Sequence, residues 1–151
     1  MVVGGRGVIR RLRVGDESVA RQAVEVFKAS RPSTRHLANF LANKDNYVYI
    51  AEVDEKPVGF LLAYKLERCD SEQPMTLLYE IEVLSDYRRR GIAKCLISEV
   101  KSVCQREQFM KAFVITSETN APAMGFYEST GGRREATHEA IFVYWMESTQ
   151  Q

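Results

Sequence analysis

Cysteine is scarce and unpatterned in this chain. The 3 cysteines, Cys69, Cys95 and Cys104, are odd in number and lack C-x-x-C spacing. That argues against a disulfide framework or a zinc site and suits a reducing compartment. Histidine is rarer still: the 2 present, His36 and His138, stand alone in the sequence and read as structural or exposed rather than catalytic. No apolar run approaches the roughly 20 residues that span a bilayer. Residues 1–13 contain Gly and Arg but no long apolar stretch, so they do not read as a signal peptide. An excess of charge is missing too. With 21 Lys and Arg against 20 Asp and Glu the net charge is +1, and bulk electrostatics predict neither a nucleic-acid nor a membrane partner. Repeats and low-complexity linkers are absent. The remaining composition, 45% hydrophobic and 27% charged over 151 residues, is that of a folded protein. It predicts one domain, 1–151, soluble and cytoplasmic, with a core large enough to need no staples.

Periodicity predicts the elements. Residues 8–13 alternate apolar and basic and read as a strand. Asp16 is placed to cap a helix carrying Val19, Ala23, Val24 and Phe27 at helical spacing. After Pro32, Ser33 is placed to cap a second helix with Leu37, Phe40 and Leu41. Residues 47–53 and 58–66 read as a hairpin around the turn 54–57. A polar segment, 67–74, leads to a third strong strand at 76–84. An amphipathic helix follows at 92–105, with Ile92, Leu96, Val100 and Val103 on one side. Residues 112–116 read as a short buried strand and 121–129 as a helix stopped by Gly131 and Gly132. Residues 133–146 are strand-like in two pieces around His138. The order β-α-α-β-β-β-α-β-α-β-β predicts an α/β (α+β) fold with a mixed, mostly antiparallel central sheet flanked by helices.

The stretch 82–93 carries the chemistry. A strand ends, a basic loop follows, and Gly91 and Ala93 open a helix. The first turn of a helix leaves N–H groups unpaired at the positive end of its dipole, which makes an anion cradle. Gly91 lets the backbone approach a phosphate, and Arg88, Arg89 and Arg90 add charged donors. A solvated basic turn has the same look, and spacing alone leaves both readings open.

Arg88-x-x-Gly91-x-Ala93 resembles the pyrophosphate-binding motif, [Q/R]-x-x-G-x-[G/A], of the GNAT acetyltransferase superfamily. The resemblance extends to the preceding strand Tyr79-Glu80-Ile81-Glu82-Val83, the strand Phe113-Val114-Ile115-Thr116, and the block Asn120-x-x-Ala123-x-x-Phe126-Tyr127 before Gly131. It runs from about Leu77 to Met146, and more loosely from Val8. It implies acetyl-CoA as co-substrate and no metal. It also implies that the backbones of Ile81 and Val83 pair with the pantetheine arm, and that N–H groups from Arg89 through Gly91 and Ile92 to Ala93 hold the pyrophosphate. Asn120 is implied to touch the cofactor, with Ala123 and Phe126 in the same block, and Tyr127 to sit near the sulfur. One departure stands out: Gly131-Gly132 replaces the family's usual Gly-Phe ending.

Acetyl transfer to an amine needs a base, because an alkylammonium has a pKa near 10 by analogy with lysine. Glu80 and Glu82 are the candidates. Strand alternation puts them on one face, opposite Tyr79, Ile81 and Val83. Two carboxylates in a central strand are costly unless they face a wet cleft, which favours Glu80 as the base. Glu82 reads equally as a base or as a solvated or ion-paired charge. The N–H of Val83 is placed to steady an oxyanion, and Tyr127 to act as an acid for the departing thiolate. Glu118, Glu135 and Glu139 read as surface charges. The acidic loop of Glu67, Asp70 and Glu72 reads as solvated, with attraction of a cationic acceptor as the alternative.

Within the superfamily, 78–83 and 88–93 are most similar to the type I aminoglycoside 3-N-acetyltransferases, as is the ending Ala140-Ile141-Phe142-Val143-Tyr144. Those enzymes have aspartate where Glu80 stands. The resemblance implies a small-molecule amine acceptor, an aminoglycoside first, and makes a homodimer possible. A polyamine, another metabolite or a protein N-terminus is the rival acceptor. A non-catalytic acetyl-CoA-binding module is the rival class, though a pure binder has no need of Glu80 or Tyr127.

Overall fold

The computed structural model describes residues 2–3, 7–135 and 141–146. Two compact units divide the chain, 1–116 and 117–151. The first holds a six-stranded sheet in the order β1-β2-β3-β4-β5-β6. Its strands are β1 (Val2–Val3), β2 (Gly7–Arg11), β3 (Asn46–Val53), β4 (Lys56–Leu66), β5 (Met75–Val83) and β6 (Lys111–Val114). Every neighbouring pair is antiparallel except β5–β6, which is parallel. The helices are α1 (Glu17–Lys28), α2 (Thr34–Ala42) and α3 (Ile92–Arg106), with a single 3-10 turn at Ser85–Tyr87. This is the expected mixed, mostly antiparallel sheet flanked by helices.

Local chemistry accounts for most boundaries. The Ser33 hydroxyl accepts from the His36 N–H at 3.1 Å and caps α2. Asp16 holds the cap position of α1, but its carboxylate accepts from the Arg13 N–H at 2.8 Å and pairs with Arg10 at 2.9 Å instead. A nearby cation and a turn amide outcompete the helix for that side chain. The β3–β4 hairpin is tighter than expected. Val53 pairs with Lys56, leaving Asp54 and Glu55 as the loop, both left-handed with φ of 49° and 61°. That is the backbone of a type I′ turn. Pro57 lies within β4 opposite Glu52, beside the register shift of β3, where a missing N–H is tolerated.

The two faces of the sheet take different helices. On one, Leu12, Val48, Ile50 and Phe60 form a core with Ala20, Ala23, Leu37 and Leu41 of α1 and α2. Phe27 of α1 stacks on Phe60 with ring centroids 5.8 Å apart. On the other, α3 lies so close that a Cβ on Gly59 would meet Ile92 Cγ2 at 2.9 Å, Ala51 Cβ at 3.1 Å and Leu96 Cδ1 at 3.2 Å. Glycine at 59 thus sets how near the start of α3 comes to the sheet. β6 is less buried than expected. Lys111 and Ala112 are exposed, because among the described residues β6 is the last strand of the sheet and has a neighbour on one side only.

In the second unit, α4 (Ala121–Ser129) is capped by the Asn120 side chain, which accepts from the Ala123 N–H at 3.2 Å. Its C-terminus closes as a Schellman motif. Gly131 is left-handed at φ 93° and donates to the Glu128 carbonyl, while Gly132 donates to that of Tyr127 at 2.9 Å. The departure at Gly132 has a physical reason: a Cβ there would stand 2.9 Å from the Tyr127 carbonyl oxygen. The two strands expected within 133–146 are not formed among the described residues. Residues 133–135 and 141–146 carry no strand, and 141–146 are exposed. Strand propensity does not make a strand without a hydrogen-bonded neighbour. His138, Glu139 and Ala140 lie outside the described residues.

Candidate active site on strand β5

β5 is paired on both sides only over its first half. Its register with β6 runs from Met75↔Lys111 to Leu78↔Val114 and ends there, while β4 continues alongside to Gly59↔Val83. The second half, Tyr79 to Val83, therefore has an edge facing away from β4 with no strand against it among the described residues. Which backbone groups face that edge follows from one bond. The Leu84 N–H donates to the Val58 carbonyl at 2.9 Å. Antiparallel pairs alternate between bonded and non-bonded, so Glu82 and Glu80 also turn their backbone toward β4. Ile81 and Val83 turn theirs outward, where an extended ligand can add as a strand.

Glu80 and Glu82 stand opposite Leu62 and Phe60, on the face covered by α1 and α2. The register shifts between Leu78↔Ala63 and Glu80↔Leu62, so Tyr79 is the extra residue of a β-bulge. Alternation alone predicts Tyr79 on the opposite face from Glu80, and the bulge overturns that. The Tyr79 ring meets Tyr64 edge-to-face at 5.7 Å, and Tyr64 meets Phe40 of α2 at 6.3 Å. Tyr79 thus shares the face of the two carboxylates. Burial raises the Tyr64 phenol above its ordinary value, and the negative charge available to Tyr79 and Glu80 adds to this.

The sequence does not single out a fifth member, Lys28. It ends α1 and its Nζ donates to Glu80 Oε1. That hydrogen bond raises the Lys28 ammonium above the ordinary lysine value; burial opposes it, and Glu80, Glu82 and Tyr79 reinforce it. The pair stays open to solvent, with side chains 39% and 21% exposed. In sequence Lys28 is an ordinary cation in the last turn of a helix, where the dipole favours one, and no local signal separates it.

The basic loop after β5 is built as a cradle, though its arginines are not all free. Arg88 Nε donates to the Val83 carbonyl at 3.0 Å. Arg90 lies over the Tyr87 ring at 5.0 Å. Arg89 and Gly91 are both left-handed, at φ 60° and 79°. The first bond into α3 runs from the Cys95 N–H to the Gly91 carbonyl, and Gly91 has no side chain to cap the amides before it. The N–H groups of Ile92, Ala93 and Lys94 thus open on the loop at the positive end of α3. An outward-turned strand edge beside an uncapped helix start is a donor set that fits a pantetheine arm and its pyrophosphate.

In the second unit, burial raises the Tyr127 phenol above its ordinary value. Asn120 spends its oxygen on the cap of α4, which leaves its NH₂ as the group able to meet a ligand. Ala123 and Phe126 lie on α4. Glu118 pairs with Arg134 at 2.9 Å. In the acidic loop, Glu67 pairs with Lys65 and Asp70 with Arg68, each at 2.8 Å, so two of its three carboxylates are already neutralised by neighbours. Among the described residues no group of His, Cys, Asp and Glu is arranged to hold a metal ion, and no helix is long and apolar enough to cross a membrane.

A model of the acetyltransferase (GNAT) family matches residues 16–132. Among human proteins, N-acetyltransferase 8 is 26% identical over 107 residues, covering 71% of this chain and 46% of that protein. N-acetyltransferase 8B is 25% identical over 131 residues, covering 79% of this chain and 57% of that protein. The chain thus spans about half the length of these curated relatives. Among solved structures, the aminoglycoside acetyltransferase meta-AAC0020 from an uncultured soil metagenomic sample, in complex with sisomicin, superposes with a TM-score of 0.79. It is 28% identical, and the match covers 94% of this chain and 97% of that one. The aminoglycoside N-acetyltransferase AAC(6′)-Iy, in complex with a CoA bisubstrate analogue, superposes with a TM-score of 0.75 at 26% identity, covering 94% and 99% of the two chains.

Proposed function

The chain belongs to the acetyltransferase (GNAT) family, and on that premise we propose that it is an acetyl-CoA-dependent N-acetyltransferase acting on a small cationic amine. The acceptor we propose is an aminoglycoside, acetylated at its 3-N position. One observation carries the reading: Glu80 and Glu82 project from the half of β5 whose outer edge has no partner strand among the described residues, next to the uncapped start of α3. Acid-base groups and a cofactor cradle share one short stretch of chain.

When bound, acetyl-CoA supplies an activated thioester. The outward N–H and C=O of Ile81 hold the pantetheine arm, and the N–H of Val83 meets the thioester oxygen at its end. The amides of Arg89 to Ala93 hold the pyrophosphate, with Arg89 and the outer nitrogens of Arg88 as charged donors. The resemblance of the block from Asn120 to Tyr127 assigns Asn120, through its NH₂, Ala123 and Phe126 to the cofactor as well. Glu80 takes the proton from the acceptor ammonium, and Glu82 matches a second positive charge on the acceptor. The Val83 N–H donates to the oxygen that gains negative charge as the amine attacks. Tyr127, its phenol kept protonated by burial, returns a proton to the departing thiolate.

Support for an aminoglycoside comes from the strand Tyr79-Glu80-Ile81-Glu82-Val83 and from the aminoglycoside acetyltransferases among the structural neighbours. The regiochemistry rests on the strand likeness alone, since one neighbour is a 6′ enzyme by name. The test is CoA release with a thiol reagent over a panel of sisomicin-type aminoglycosides, polyamines and short peptides, followed by NMR of the product. Turnover with aminoglycosides and an acetyl on the 3-nitrogen is expected. An acetyl on the 6′-nitrogen would correct the position, turnover confined to polyamines or peptides would replace the acceptor class, and binding of acetyl-CoA without turnover would make the chain a binding module.

A further inference from the structure

Lys28 is a primary amine, and its Nζ is hydrogen-bonded to the carboxylate proposed to deprotonate the acceptor. It stands where an acceptor nitrogen must stand to hand its proton to Glu80. We propose that Lys28 is itself an acceptor: without a small-molecule amine, the protein acetylates its own Lys28 from acetyl-CoA. The inference rests on the reading of Glu80 as the base, and on nothing else in the acceptor assignment.

Four features set Lys28 apart from other lysines of the chain. Its Nζ touches Glu80 and feels Glu82 and Tyr79 on the same face. Glu80 is the immediate neighbour of Ile81, whose backbone faces the unpaired edge proposed to take the donor arm. Lys28 ends α1 and is followed by Ala29 in a left-handed conformation, so the segment beyond it is not tied into the helix. The side chain is open enough for a thioester to approach it. By contrast, Lys44 and Lys56 are exposed and lie on the loop before β3 and at the start of β4.

The chemistry balances without an added oxidant or reductant. The Lys28 ammonium passes one proton to Glu80, and the freed Nζ lone pair attacks the thioester carbonyl carbon. The C–N bond forms and the C–S bond breaks. The second proton of the nitrogen goes to the CoA sulfur, and Glu80 releases the first to water. The products are Nε-acetyl-Lys28, CoA thiol and one proton. The raised affinity of Lys28 for its proton slows this step, so self-acetylation runs at a small fraction of the turnover expected with an acceptor.

The experiment incubates the purified full chain with acetyl-CoA and no amine, then measures intact mass and maps the acetyl group by peptide mass spectrometry. One acetyl per chain, at Lys28, is expected, at least tenfold enriched over Lys44 and Lys56. Lys28→Arg, which keeps the ion pair but offers a non-nucleophilic guanidinium, should lose the modification; Glu80→Gln should slow it at least tenfold. Equal labelling of Lys28, Lys44 and Lys56 would overturn the inference, as would Lys28 labelling undiminished in Glu80→Gln. The same preparations assayed with an amine acceptor separate the two claims. Acceptor turnover that collapses in Glu80→Gln, with no enrichment at Lys28, would sink self-acetylation and leave the proposed base standing. Acceptor turnover that survives in Glu80→Gln would sink the base.

Discussion

Arg88 Nε donates to the Val83 carbonyl at 3.0 Å and so ties the loop before α3 to the last residue of β5. The bond occupies the outward carbonyl of Val83 and leaves its N–H as the outward group. It also fixes the cradle against the strand edge from which the donor arm would run. Replacing Arg88 with Ala should therefore raise the Kd for acetyl-CoA about tenfold, near 1.4 kcal/mol, through both loop order and lost charge. Arg88→Lys should recover only part of this, because an ammonium lacks the guanidinium's fork. Calorimetric titration checks it; an unchanged Kd in Arg88→Ala would count against the cradle.

Glu80→Gln should lower kcat by about 10² to 10⁴, the usual contribution of a positioned base, while leaving acetyl-CoA affinity within about twofold. The backbone of Glu80 faces β4, so exchanging its side chain leaves the amides of the proposed donor edge in place. A steady-state assay paired with a binding titration decides it. Collapse of both quantities would make Glu80 structural.

Gly59→Ala should be destabilising. The added methyl meets Ile92 Cγ2 at 2.9 Å, Ala51 Cβ at 3.1 Å and Leu96 Cδ1 at 3.2 Å, so three neighbours must shift together. Overpacking of this kind costs about 1–3 kcal/mol, and it pushes on the first residue of α3, so cofactor binding should weaken alongside. A lowered Tm with unchanged acetyl-CoA affinity would show that the helix start does not depend on this contact.

Gly132→Phe restores the residue the family usually carries, yet here it should destabilise. The Cβ would lie 2.9 Å from the Tyr127 carbonyl oxygen, which already accepts the Gly132 N–H. Thermal denaturation should show a Tm several degrees lower, in line with a loss of about 1–3 kcal/mol for a forced contact. A raised Tm would mean that aromatic packing outweighs the lost end of α4.

Lys28 should titrate above the ordinary lysine value of 10.5, because the hydrogen bond to Glu80 favours its charged form. A folded-state pKa above the unfolded one contributes stability that is fully present below the unfolded value. That stability is lost as pH rises through the folded value, in the window above 10.5. NMR of lysine side chains should place Lys28 above the other lysines, and Glu80→Gln should bring it down. A Lys28 that titrates with the exposed lysines in both proteins would mean that the pair does not form in solution.

Much of the fold was legible because its signals are local. Alternation marked β2, β-branched, aromatic and apolar composition marked β3 and β4, helical spacing marked α1 to α3, and Ser33 caps α2 as its residue type predicts. The strand end, the basic loop and the helix start at Gly91 were legible for the same reason: they are contiguous. Where the reading failed, a competing contact or a missing one was responsible. Asp16 was drawn to Arg10 and the Arg13 amide. Pro57 reads as a turn residue but lies in β4, because the loop needs only Asp54 and Glu55. Residues 141–146 have strand composition but no ladder partner among the described residues. Tyr79 was put on the wrong face because a bulge adds one residue that periodicity cannot see.

The sequence by itself determined the backbone of the loop and helix start proposed to hold the cofactor. Left-handed φ at a glycine, an uncapped helix start and the alternation of a strand are properties of neighbours along the chain. Only the tertiary structure decided what faces the two carboxylates. Lys28 and Glu80 are 52 positions apart, and their meeting depends on where α1 ends over the sheet and on a bulge that turns Tyr79 beside them. Helix packing and strand register are set by the whole core, so no local pattern encodes that contact.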